Sequence, residues 1–130
     1  MAIKIKIMKA VFLGFFILLL TSCYQQERNC TNFKTGKFTS KTEIEGKKYT
    51  STFERNDSIQ IENYEGKIDT FKVRWINDCE YILENVRPTN REEKKAVHVK
   101  ILNSKNLTYN FEYSFVGDVK KQRGTVTKTK

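Results

Sequence analysis

The sequence predicts an all-β domain behind a cleavable leader: an antiparallel up-and-down meander of about eight strands that closes into a small barrel or half-barrel. Three observations carry this. From Lys37 onward large and polar side chains alternate with period two, the alternation is cut at short intervals by Gly, Asn, Asp and Ser, and helical periodicity is nearly absent.

The leader comes first. Lys4, Lys6 and Lys9 give a positive start, and Ala10 to Leu20 is an apolar run with a single Gly, the layout of an export signal. The run is shorter than the ~20 apolar residues that a membrane-spanning helix needs. The polar Tyr24-Gln25-Gln26-Glu27-Arg28 does not extend it. A processed signal over residues 1–22 is expected.

Leu20-Thr21-Ser22-Cys23 resembles the lipobox of bacterial prolipoproteins. A thiol is the nucleophile that can take a diacylglyceryl thioether, and small neighbours let the peptidase reach the bond before it. The resemblance implies that Cys23 becomes the lipidated first residue of the mature chain. Acyl chains contribute about 0.8 kcal/mol per buried methylene, so two or three of them anchor stably.

Removing residues 1–22 leaves 108 of 130 residues, one domain by length with one thin core. Lys4, Lys6 and Lys9 leave with the leader, so the formal charge falls from +9 to +6. Residues 23–33 are polar with little periodicity and read as a lipidated tether; residues 34–130 read as the β-domain. Tyr24 to Arg28 lacks the acidic cluster that resembles a surface-export signal, which favours the periplasmic side of the outer membrane.

The strands follow in order. Phe38, Ser40, Thr42 and Ile44 alternate with polar neighbours. Glu45-Gly46-Lys47 turns into Tyr49, Ser51 and Phe53, with Gly supplying positive φ. Arg55-Asn56-Asp57 leads to Ile59, Ile61 and Asn63, and Glu65-Gly66-Lys67 to Ile68, then Phe71, Val73 and Trp75. The change of phase between Ile68 and Phe71 predicts a bulge near Asp69. Asn77-Asp78 turns into Cys79, Tyr81 and Leu83.

Asn85 to Lys95 holds the one Pro, Pro88, and a charged stretch able to form a helical turn; a surface loop is expected. Val97, Val99 and Ile101 follow, Asn103 to Asn106 turns, and Leu107, Tyr109, Phe111, Tyr113 and Phe115 make the clearest strand. Gly117-Asp118 starts the last strand, through about Val126. Most of these strands fall short of the 9 to 11 residues of a membrane-spanning barrel, so a spanning barrel is not expected.

Of three cysteines, Cys23 is assigned to lipid. In an oxidising envelope Cys30 and Cys79 are expected to pair, closing a loop of about fifty residues for about 4 kcal/mol. The alternatives are a buried pair of free thiols or Cys30 left in a mobile linker. These cysteines and the one His, His98, are too few for a metal site. The basic end, Lys120, Lys121, Arg123, Lys128 and Lys130, reads as a solvated tail; the alternative is attraction to anionic headgroups or polyanions. Nucleic acid is not an expected partner outside the cytoplasm.

The ladder Tyr109 to Phe115, with Phe38, Phe53, Phe71, Trp75 and Tyr81, lines a cavity for an apolar ligand, as in lipocalin-like barrels, or fills the core. A domain this small needs most of its large side chains to fold, so a filled core is expected. His98 falls out of phase with Val97 and Val99, which points it outward with no acid beside it. Nothing supplies Cys79 with a base. No carboxylate pair stands out among Glu43, Glu45, Glu54 and Glu112. Phosphate loop, nucleophile elbow and HExxH motifs are missing, so neither an enzyme nor a cofactor is expected. Asp57-Ser58-Ile59 is similar to a periplasmic O-glycosylation sequence but reads first as a hairpin turn. Asn106-Leu107-Thr108 fits an N-glycosylation pattern that bacteria rarely use.

The lipobox, Cys30, the run Arg74 to Tyr81 and the run Phe111 to Asp118 together look like a group of short, uncharacterised Bacteroidetes (flavobacterial) envelope lipoproteins. Some of that group are labelled "DNA topoisomerase IV". That label demands several large domains, an ATP site or a strand-cleaving tyrosine with metal-binding acids, and cytoplasmic residence, none of which fits this chain. The expectation is a non-enzymatic, lipid-anchored envelope protein that binds a protein or polymer partner. The alternative is a lipocalin-like carrier of a small apolar ligand held by Trp75, Tyr109, Phe111 and Tyr113. A cavity discriminates the two.

Overall fold

The computed structural model describes residues 28–130; the expected leader, the Cys23 lipidation position and the start of the expected tether lie outside the described residues. Eight strands run in order around a closed antiparallel barrel: β1 (Gly36–Ile44), β2 (Lys47–Arg55), β3 (Ile59–Tyr64), β4 (Lys67–Asn77), β5 (Glu80–Asn85), β6 (Val97–Lys105), β7 (Thr108–Phe115) and β8 (Gln122–Lys128). The meander is closed rather than half-open. β8 returns to β1 from Phe38↔Lys128 to Thr42↔Gly124, so no strand edge is left unpaired.

Short turns set the register. Glu45-Gly46 has φ of 52° and 79°, and Glu65-Gly66 has 50° and 86°. Two consecutive positive φ values give the hairpin turn whose twist matches that of the strands. At β2–β3 the Asn56 side-chain oxygen accepts from the backbone N–H of Ser58 (3.0 Å) and Ile59 (2.9 Å), so Asp57-Ser58 sits in a turn. The β1–β2, β3–β4 and β7–β8 connections and the 86–96 loop gather at one end, the mouth. The β2–β3, β4–β5 and β6–β7 turns form the other end, the base.

The base is plugged by the segment expected to be tether. Cys30 and Phe33 are in the buried core, with Phe33 closing a 3-10 turn, Thr31–Phe33. Cys30 is disulfide-bonded to Cys79. The Asn29 amide donates to Ser104 Oγ (2.8 Å), Lys34 pairs with Asp78 (2.9 Å), and Lys128 Nζ donates to the Asn32 carbonyl (2.8 Å). The folded unit therefore starts before residue 34.

Four further expectations change. The β3–β4 register runs unbroken from Ile59↔Lys72 to Tyr64↔Lys67, without a bulge near Asp69. Ile59, Ile61 and Ile68 point outward, 40 to 58% exposed, while Gln60 is buried; the phase change at Ile68 is a side chain facing solvent. The register shifts fall instead at Trp75/Asn77 and Ile101/Asn103. Asn103 to Lys105 belong to β6, and Leu107 lies in the turn before β7, exposed. Two of the five residues of the basic end, Arg123 and Lys128, lie in β8 and not in a tail, and Lys121 just before it pairs with Glu112 (3.3 Å).

Candidate functional site

The barrel interior has two storeys. The lower one is filled. Arg55, at the base of β2 and 2% exposed, carries a guanidinium that forms no salt bridge with a carboxylate among the described residues. It donates to Gln60 Oε1 (3.1 Å) and to the Phe33 carbonyl oxygen. Its Cζ lies 4.6 Å from the Tyr81 ring, 5.0 Å from Phe38, 5.2 Å from Phe53 and 5.4 Å from Trp75. Desolvated cation–π contacts of this kind contribute about 2 kcal/mol. Burial works against the charge, and the Tyr81 and Tyr109 hydroxyls more than offset it, so the Arg55 pKa is raised. Arg55 Nε and Trp75 Nε1 are buried without a hydrogen-bond partner.

Aromatic packing completes this floor. Phe38 stacks on Phe53 at 4.8 Å, Trp75 packs on Tyr81 at 4.6 Å, and Phe33 meets Tyr109 edge-on at 4.8 Å. Tyr109 is fully buried, its hydroxyl 3.5 Å from that of Tyr81. Burial first, then the Tyr81 hydroxyl, push the Tyr109 phenol well above its usual range.

The upper storey is hollow. A cavity of about 410 Å³ opens between the strands toward the mouth, within the roughly 300–1,000 Å³ of small-molecule sites. Phe53, Tyr81 and Phe111 form its bottom; Phe71, Leu83, Val97, Val99, Phe115 and Val126 give apolar wall; Tyr49, Tyr64 and Tyr113 stand nearer the mouth. Its room comes from small residues: Ser40 and Ser51 face each other across β1–β2 where neighbouring strands carry aromatics. Gly124 acts similarly, because a Cβ there would stand 2.7 Å from Phe111 Cζ and from Thr42 Cγ2.

Polar groups in the cavity converge on β3. Gln60, Glu62 and Tyr64 all line it, and Glu62 lies directly across from Asp69. Burial, then the Asp69 carboxylate, raise the Glu62 pKa above the ordinary carboxyl value against a hydrogen bond from Ser51. Burial also raises the Tyr113 phenol, against a hydrogen bond from Thr42.

Of the four expected ligand-contacting residues, Phe111 and Tyr113 line the cavity, whereas Trp75 and Tyr109 are packed into the floor beneath it. The filled core thus describes the lower storey only. Glu62 and Gln60 escape the alternation pattern because they are polar on an inward face, whereas Ser40 and Ser51 fall in phase with their inward neighbours. His98 does have an acid beside it: its Nε2 lies 3.0 Å from Glu80 Oε2 across β5–β6, and this hydrogen bond is the chief cause of a lowered Glu80 pKa. Among the described residues no three of His, Cys, Asp and Glu group closely enough to hold a metal ion.

At the mouth, Glu93 of the 86–96 loop accepts from the Thr89 amide (2.7 Å) and hydroxyl and pairs with Lys67 (2.9 Å) on the β3–β4 hairpin. These partners hold its carboxyl down at about 2 and fasten the loop beside the opening.

Fold and site together define an eight-stranded up-and-down barrel with a plugged base and an open, mixed-polarity cavity. Comparison with protein-family profiles, curated proteins and solved structures finds no match to this chain.

Proposed function

We propose that this protein is a lipid-anchored envelope lipoprotein, set in the outer membrane and facing the periplasm, whose barrel carries a small amphipathic ligand without turning it over. The observation that supports carriage is the 410 Å³ cavity above the aromatic floor. A filled core would favour a partner-binding role alone; a pocket with apolar walls and tyrosines nearer its mouth favours a ligand with an apolar body and a polar end.

The lipid reading rests on the lipobox and supplies an orientation. Five residues lie between Cys23 and Asn29 at the base, so the six steps reach about 20 Å when fully extended. A lipid on Cys23 therefore keeps the plugged base toward its membrane and turns the mouth away from it.

The test is native mass spectrometry of the protein extracted from its own envelope in mild detergent, repeated after denaturation. The expected result is a lipidated Cys23 and an additional mass that disappears on denaturation. A bare protein mass in both conditions would remove the carrier reading, and an unmodified Cys23 would remove the anchor.

The outer face of β3–β4 favours a second reading, contact with a protein partner. Ile59, Ile61 and Ile68 are exposed apolar side chains there, with Ile61 diagonal to Ile68 across the two strands (Ile61↔Thr70, Asn63↔Ile68). Replacing Ile61 and Ile68 by Lys would abolish capture of a partner by crosslinking and leave ligand mass unchanged.

A further inference from the structure

We infer that the cavity selects a cationic amphiphile, an alkyl- or arylammonium compound whose charged head sits at Glu62 between the mouth tyrosines. This rests on reading the cavity as a ligand site and adds the sign of its ligand.

Glu62 is the one charged side chain among the residues lining the cavity. Its cross-strand neighbour on the same inward face is a second carboxylate, Asp69. Among the described residues no Lys, Arg or His pairs with Glu62, and Lys47 Nζ, 5.3 Å from the Tyr49 ring, already makes at the mouth the kind of contact an entering ammonium would make. Lys67 is 3.8 Å from Asp69 but commits to Glu93 at 2.9 Å on the rim. Arg55 lies below the floor, bonded to Gln60 and Phe33 and ringed by Phe53 and Tyr81. A carboxylate withdrawn from water without a counter-ion is costly, and an entering ammonium supplies that counter-ion. Tyr49, Tyr64 and Tyr113 line the same cavity as Glu62 and bring ring faces that attract a cation. An anionic head would meet Glu62 and Asp69 as like charges, and could reach Arg55 only by displacing the floor. The selection runs against the formal net charge, +9 for the whole chain and +6 without residues 1–22, so it belongs to the cavity and not to the surface field.

The test titrates the full chain, held in amphipol, with three chain-matched probes by calorimetry: decylamine, protonated at neutral pH as a lysine is, decanol and decanoate. Decylamine is expected to bind about tenfold more tightly than decanol, with decanoate weakest. Glu62→Gln should bring decylamine to the level of decanol, and Glu62→Asp should keep the preference. Equal affinities in the wild-type chain, or a preference for decanoate, would overturn the ammonium assignment and leave the ligand site standing. Failure of all three probes to bind would remove the ligand site and the assignment with it. The wild-type ranking decides the matter even if a variant fails to fold.

Discussion

The guanidinium of Arg55 donates to the backbone carbonyl of Phe33, joining the base of β2 to the segment that plugs the barrel. The same group satisfies Gln60 on β3, so one buried cation ties three pieces of chain together. Arg55→Met keeps much of the volume but strands the Phe33 and Gln60 oxygens. At about 1–3 kcal/mol per buried unsatisfied group, the expected loss for the two is about 2–6 kcal/mol. Urea denaturation measures it, and a loss below about 1 kcal/mol would show that the plug holds without Arg55.

The Cys30–Cys79 bridge spans 49 residues of sequence and fixes the plug from the other side. The chain-entropy relation gives about 4 kcal/mol for a loop of that length. A Cys30→Ser/Cys79→Ser double variant should lose stability of that order in the same denaturation experiment. Stability equal to that of the oxidised protein would mean that the contacts of Phe33 and Asn29 hold the base unaided.

Gly124 faces inward on β8, and an added Cβ would meet Phe111, Thr42 and the Lys41 backbone oxygen at 2.7 to 2.8 Å. The backbone oxygen cannot move aside cheaply. Gly124→Ala should cost about 1–3 kcal/mol through overpacking and displace the Phe111 ring into the cavity. Thermal unfolding measures the first effect, and the Phe111 ring resonances report the second.

Thr89 and Lys67 hold the Glu93 carboxylate at a pKa of about 2, below its ordinary 4.5. Because the folded value is the lower one, the contribution to loop order is fully present above the ordinary value and fades as pH falls through about 2. Hydrogen exchange at the Thr89 amide should stay protected at mildly acidic pH and lose protection only near 2. Glu93→Gln should free the 86–96 loop at neutral pH and leave the barrel strands protected.

Much of this architecture was legible before any coordinates. Period-two alternation marked the first seven strands, because a barrel has one apolar face and two-residue turns leave clear punctuation at Gly46 and Gly66; the last strand, expected from Gly117-Asp118, begins at Gln122. β3 misled, since Ile59 and Ile61 attract the inward assignment. The information to correct it is in the Glu65-Gly66 turn. That turn pairs Tyr64 with Lys67, hence Glu62 with Asp69 and Gln60 with Phe71, and cross-strand partners share a face. With Phe71 and Val73 inward, Gln60 and Glu62 must be inward as well. The Arg55 cage was harder to see. Arg55 continues the phase of Tyr49, Ser51 and Phe53, but a lone arginine at a strand end ordinarily points to water. Only three-dimensional packing brings Phe38, Trp75 and Tyr81 around it. The split between filled floor and hollow mouth is equally tertiary, because it depends on which small side chains meet at one height.

The central claim is that the space above the aromatic floor receives a ligand. Calorimetric titration of decanol into the wild-type chain and a Ser40→Phe variant tests it most directly, since Ser40 faces Ser51 across the cavity wall and a ring there occupies its volume. The account predicts that wild type binds and that Ser40→Phe loses the binding while its thermal midpoint is unchanged or raised. Undiminished decanol binding by Ser40→Phe would place any ligand outside the barrel and contradict the account.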